Sequence, residues 1–232
     1  MAKKTRMTAA QWAACEEPTE MLAYLRGKAS ERKQRLLACA CCRTMGGLLQ
    51  DARVLRALEV AERHADEPNP DELKAALQEA GKAQRSQRRN SLLAAYAAVM
   101  TVAEPRCEAP LDEIAEALVL AATPRIDPSE HRAAVAARRA LLAGPVRDLF
   151  CHPLRLVLFD PTLRTPAVLT LARAAYDQRT LPGGTLDPAR LAALADALEE
   201  AGRAHADLLS HLRSPGPHYL GCWPLDLVLG KS

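Results

Sequence analysis

The sequence predicts an all-α protein, a compact single domain of many helices with an ordered proline-rich loop around residues 144–166. Three observations carry that prediction. Hydrophobic residues make up 49% of the 232 positions, enough to bury a sizeable core and too many for a disordered chain. Aromatics are only 3%, so Ala and Leu supply most of the apolar surface, which suits closely approaching helices better than aromatic-rich sheets. In segment after segment these residues recur at helical spacing, bounded by Pro, Gly and capping residues.

The N-terminal residues 1–10 are expected to be disordered. Pro18 to Leu25 reads as a short helix interrupted at Gly27. Ser30 precedes a run of helix formers that continues through Leu36, Leu37 and the cysteines, with Gly46-Gly47 as its end. Leu48 to Ala65 is the next helix, closed by Pro68-Asn69-Pro70. Residues 67–145 form a variable-looking middle. In it Asp71 caps a helix running toward Arg89, Leu92 to Val102 is Ala-rich, Leu111 to Ala122 is amphipathic, and Asp127-Pro128 starts a helix to Leu142. Prolines 145, 153, 161 and 166 make the following stretch a loop, in which Leu156 to Phe159 would be a strand without a partner. Ala167 to Tyr176 returns to helix, and Pro182-Gly183-Gly184 is a turn. Asp187-Pro188 opens a long helix whose stripe runs from Leu191 through Leu198 and His205 to Leu212, stopped by Ser214-Pro215-Gly216-Pro217.

Composition removes several functional classes. Basic and acidic residues nearly balance, 31 against 28 for a net charge of +3, so no global field recruits nucleic acid or an anionic membrane. No run approaches about 18 uncharged apolar residues, the length of a membrane span. The basic N-terminus is followed by Gln11, Glu16 and Glu17 instead of a signal-peptide core. With seven cysteines, an odd number, and no export signal, reduced thiols and a cytoplasmic location are expected. The local basic stripe of Lys82, Arg85, Arg88 and Arg89 reads first as a solvated helix end. No aromatics interleave with it for base stacking, so a nucleic-acid role is disfavoured.

The residue types that could carry chemistry cluster at two places. Cys39, Cys41 and Cys42 fall within four positions of a predicted helix, with Cys39 and Cys42 on one face. His218 and Cys222 are four apart near the other end. Cys39, Cys42, His218 and Cys222 have the count and types of a Cys3His zinc site. Cys41 and Cys42 would be the pair for thiol redox chemistry, with Arg35 or Arg43 lowering a pKa while the helix C-terminus raises it. Packing as small buried hydrophobes is the third reading and the commonest fate of such thiols. Trp12 and Trp223, the two tryptophans, are expected to anchor the terminal segments, with an interaction groove as the functional alternative.

Two sets of segments resemble a paralogous family of uncharacterised proteins associated with planctomycetes. The first set is Trp12-Ala-Ala-Cys15, Leu25-Arg-Gly-Lys-Ala-Ser-Glu-Arg-Lys33, Ala38-Cys-Ala-Cys-Cys-Arg43 and Val60-Ala-Glu-Arg63. The second is Arg147-Asp-Leu-Phe150, Leu194-Ala-Asp-Ala-Leu-Glu199, Pro215-Gly-Pro-His218, Gly221-Cys-Trp223 and Asp226-Leu-Val-Leu-Gly-Lys231. The chain departs from the family pattern at Arg203 and Leu212, where cysteine is frequent, and at Tyr219-Leu220. The resemblance implies a small bacterial helical protein and no particular activity.

The expected function is therefore a non-catalytic interaction or regulatory module with an unknown protein partner and no cofactor. The alternative is a zinc or thiol-redox protein built on the cysteine cluster and the His218/Cys222 pair. A nucleic-acid-associated factor using Arg85, Arg88 and Arg89 is the weaker third.

Overall fold

The computed structural model describes residues 7–44, 46, 49–84, 127–151 and 157–231. The fold is mostly helical, as the sequence predicts, and the described residues add a small two-stranded ribbon that the sequence reading did not include. Its helices are α1 (Ala9–Ala14), α2 (Pro18–Leu25), α3 (Glu31–Arg43), α4 (Ala52–Asp66), α5 (Pro70–Gln84), α6 (Pro128–Leu141), α7 (Ala143–Leu149), α8 (Pro166–Asp177), α9 (Pro188–Ala201), α10 (Ala206–Leu212) and α11 (Trp223–Leu229). Strands β1 (Arg179–Thr180) and β2 (Thr185–Leu186) lie between α8 and α9. The contacts gather into two compact units, Met1–Val146 and Arg147–Ser232. The predicted helices over Leu92–Val102 and Leu111–Ala122 lie outside the described residues, as do Arg85, Arg88 and Arg89.

The first unit is built on capped helices. Thr8 and Gln11 form a reciprocal capping box at the start of α1, satisfying two otherwise orphaned N–H groups. Trp12 is buried and its ring meets Tyr24 at 6.3 Å. Ser30 caps α3 by accepting the Lys33 N–H at 3.2 Å, at the position the sequence indicates. Helices α3 and α4 pack together, and Leu36, Leu37, Leu58 and Val60 on them are buried, each burial stabilising by about 1.5–3 kcal/mol. The helix predicted from Leu48 begins instead at Ala52, because Asp51 takes the Arg53 N–H and acts as its cap. Arg32 and Asp66 join the two helices at 2.6 Å near solvent. In the interior, Arg43 donates to both carboxylate oxygens of Glu62, at 3.1 and 2.9 Å.

The second unit packs α8 against α9 and α11, with Val168, Ala172, Leu191, Leu194, Leu198, Leu225 and Val228 fully buried. Arg164 closes the C-terminus of α11, donating from Nε to Val228 O at 2.9 Å and from Nη2 to Leu227 O at 3.1 Å. These carbonyls are otherwise orphaned at a helix end. The ribbon pairs Arg179 with Leu186 and Thr180 with Thr185 in antiparallel register.

Other elements also differ from the sequence reading: α1 and its Thr8 cap begin inside the stretch 1–10 expected to be disordered. The proline-rich stretch contains a helix, α7, which accommodates Pro145 in its first turn, where a missing N–H costs no helical bond. The long helix predicted to Leu212 is two helices. Gly202 breaks it with φ of +153°, and a Cβ there would come within 3.0 Å of Leu163 Cδ2. His205, expected inside the helix stripe, instead caps α10, its Nδ1 accepting the Asp207 N–H at 3.2 Å.

Candidate metal centre

His218 is positioned by its own backbone. The turn Ser214-Pro215-Gly216-Pro217 folds the chain so tightly that a Cβ on Gly216, at φ +79°, would lie 2.9 Å from the His218 nitrogen. That position requires glycine. The His218 carbonyl then accepts the Leu186 N–H at 2.8 Å, and Tyr219 bridges to Thr185. The β-ribbon thus fixes His218 and Tyr219 from one side. Cys222 follows one turn later as the N-cap residue of α11.

Asp148, in the last turn of α7, meets this segment. Its Oδ1 lies 2.7 Å from His218 Nδ1 and 3.0 Å from His211 Nε2, and its Oδ2 accepts the Tyr219 N–H at 2.7 Å. Cys222 Sγ is 3.9 Å from His218 Nδ1. Asp148, His218 and Cys222 are buried, and His211 is partly so. One donor atom from each of Asp148, His211, His218 and Cys222 lies within 4.8 Å of all the others. Among the described residues no other group of three or more His, Cys, Asp or Glu side chains is gathered in this way.

The hydrogen bonds fix the protons. His218 Nε2 is 3.0 Å from the Ser214 carbonyl, which can only accept, so Nε2 carries a hydrogen. Ser214 Oγ donates to the His211 carbonyl at 2.7 Å and has a lone pair facing His218 Nε2 at 3.2 Å. Trp223 Nε1 is 3.2 Å from His211 Nδ1. An indole nitrogen can only donate, so His211 Nδ1 holds a lone pair and Nε2 carries the hydrogen directed at Asp148. Burial pushes the Asp148 carboxyl upward. The hydrogen bonds from His211 and His218, with the charge of His218, outweigh it and hold the group below its ordinary range. Burial likewise lowers His218, but the Asp148 hydrogen bond and charge, with the Ser214 carbonyl, raise it above the ordinary histidine value.

This arrangement does not match a nucleophile, base and acid relay. In such a relay the thiol and the carboxylate address opposite nitrogens of the imidazole. Here both face Nδ1, while Nε2 is committed to Ser214. The donor set fits a metal. Zinc binds sulfur, imidazole and carboxylate at about 2.0–2.3 Å, which places tetrahedral ligands roughly 3.3–3.8 Å apart. Three of the six donor separations, 2.7, 3.0 and 3.9 Å, lie just outside that range on either side, and all six are within 4.8 Å, so small side-chain shifts would bring the donors to ligand spacing. A thiolate and a carboxylate together neutralise a divalent ion in a buried place. His218 also gives its second N–H to a backbone carbonyl, the usual way a ligating imidazole is oriented.

The sequence-predicted residues divide between the units. His218 and Cys222 do come together, as their four-residue spacing indicates. Cys39 and Cys42 are not part of this group; they lie buried in α3 of the first unit. Burial and the Glu62 carboxylate push the Cys39 thiol well up, against the weaker pull of Arg43 and Arg35. Cys41 is also fully buried, an environment of packing thiols and not of exposed, activated ones. Trp12 is a core residue, whereas Trp223 is half-buried beside His211, the two rings 5.4 Å apart. Of the basic stripe, Lys82 is described, paired with Glu79 at 2.5 Å. Sequence reasoning missed Asp148 and His211. The available signals were Asp148 within the Arg147-Asp-Leu-Phe150 segment and a histidine seven residues before His218.

Among the described residues no helix is long and apolar enough to cross a membrane. No protein-family model matches the chain, and neither does any curated protein or solved structure.

Proposed function

We propose that this chain is a metal-binding helical protein, with zinc held by Asp148, His211, His218 and Cys222 in the second unit. The observation that carries the proposal is the convergence of four zinc-type donor atoms within 4.8 Å of one another in a largely buried place. Four protein ligands leave no open position for substrate, so the metal's task is structural. It ties α7, α10 and the segment leading into α11. Metal analysis of the purified protein tests this: about one zinc per chain is expected, lost in both Cys222→Ser and Asp148→Asn. A folded, metal-free protein that ignores added zinc would refute it.

A non-catalytic interaction role, the broader reading of the sequence, is compatible with such a scaffold. Supporting it is an open cleft of about 730 Å3 in the first unit. Met7, Gln11, Cys15 and Glu20 line one wall and Ala136 and Ala140 the other.

A further inference from the structure

Trp223 Nε1 donates to His211 Nδ1 at 3.2 Å, while His211 Nε2 donates to Asp148 Oδ1 at 3.0 Å. A metal needs the lone pair of Nε2, the nitrogen that faces the other donors. Once Nε2 is a ligand, a neutral imidazole carries its hydrogen on Nδ1. Two donors, Nδ1–H and the indole N–H, would then face each other at hydrogen-bond distance. The hydrogen bond present in the metal-free arrangement becomes a repulsion in the loaded one.

Turning the His211 ring over does not resolve this, because a flip carries Nε2 away from Asp148. His218 poses no such conflict, since its Nε2–H already points at the Ser214 carbonyl and its Nδ1 at the cluster. Trp223 is the part that can yield. It is half-buried, at the first position of α11, so its indole N–H can turn to water at little cost.

We infer that metal loading breaks the Trp223–His211 hydrogen bond and releases the Trp223 indole from the centre, making it a metal-dependent surface element. This rests on the metal-binding reading and adds its regulation: the residue that locks His211 without metal is displayed when metal is bound. In the loaded state His211 accepts a hydrogen on Nδ1 as it gives up the one on Nε2, while His218 and Cys222 release theirs to solvent. Binding is thereby opposed by the lock, and removing the lock tightens it.

The test uses the 232-residue chain labelled with 15N, whose two indole N–H resonances are assigned with Trp223→Phe. Zinc chloride is titrated to one equivalent, with binding followed by competition with a chromogenic chelator. The Trp223 resonance is expected to move to a solvent-exposed position while that of Trp12 stays. Trp223→Phe is expected to bind zinc about three- to tenfold more tightly, the worth of one net hydrogen bond; a merely structural role would weaken binding. One zinc bound per chain with the Trp223 resonance unmoved, or with Trp223→Phe binding no tighter, overturns the inference and leaves the metal centre standing. Failure of the unmodified protein to bind zinc overturns both.

Discussion

Three N–H donors converge on the Asp148 carboxylate, from His211, His218 and the Tyr219 backbone. Each offsets part of the cost of burying a charge. Asp148→Asn removes the charge and one acceptor and sets an amide N–H against donors. It should cost about 3 kcal/mol or more in urea unfolding of the chelated protein. The pH dependence of that metal-free protein follows from the two shifts. Asp148 titrates below its unfolded value near 3.8, so its contribution is present above that value and lost as pH falls through the folded one. His218 titrates above 6.5, so its contribution is full below 6.5 and lost as pH rises through the folded value. Stability from this pair should therefore be greatest between the two unfolded values of 3.8 and 6.5, measurable as a maximum in melting temperature. Zinc should favour higher pH, because its ligands must lose their protons. Gly216→Ala should cost about 1–3 kcal/mol and loosen zinc binding, since its Cβ would collide with His218. His218 and Cys222 were legible as a pair because four residues of local chain bring them together. Asp148 lies 70 residues from His218, and that contact is made by packing that no local spacing reports.

At the scale of elements, local chemistry was the legible part. Ser30 before α3, Asp187-Pro188 before α9 and the Gly216 turn were all readable, because a cap or turn is settled by residues within one helical turn of it. The break at Gly202 was not, because the apolar stripe runs on to Leu212, and the neighbour that favours glycine there, Leu163, lies about 40 residues earlier in the chain. The Arg43–Glu62 pair between α3 and α4 was equally hidden, since both residues look like ordinary polar positions on a helix. Arg43→Met should destabilise by roughly 3–5 kcal/mol by leaving Glu62 buried without its guanidinium. Adding Glu62→Leu should recover much of that loss, as read from a double-mutant cycle in chemical denaturation. Nearly additive losses would contradict this account of the pair.

For the whole molecule, the two units give the metal reading a spatial signature. Zinc bound to the folded state at 100 times its dissociation constant stabilises by about 2.7 kcal/mol. That gain should appear in the second unit, where all four donor residues lie. Hydrogen exchange of the full chain, with and without a chelator, should change over α10, α11 and the segment between them, and stay constant over α3 and α4. The overall helical class was legible because it depends on composition and periodicity, which every segment repeats. The division of the cysteine cluster from the His218/Cys222 pair was not, because the sequence offers all four as equivalent ligands and only packing assigns each its surroundings.

The β-ribbon holds the centre through its backbone: Leu186 N–H to the His218 carbonyl, and Thr185 bridged to Tyr219. Backbone bonds are indifferent to side-chain identity, so the ribbon is free to drift in sequence without losing its grip on His218. In a saturation library scored for zinc retention, half-buried Arg179 and exposed Thr180 should accept most replacements. Leu186→Pro, which deletes the N–H that the histidine carbonyl accepts from the ribbon, should score with the loss of a ligand.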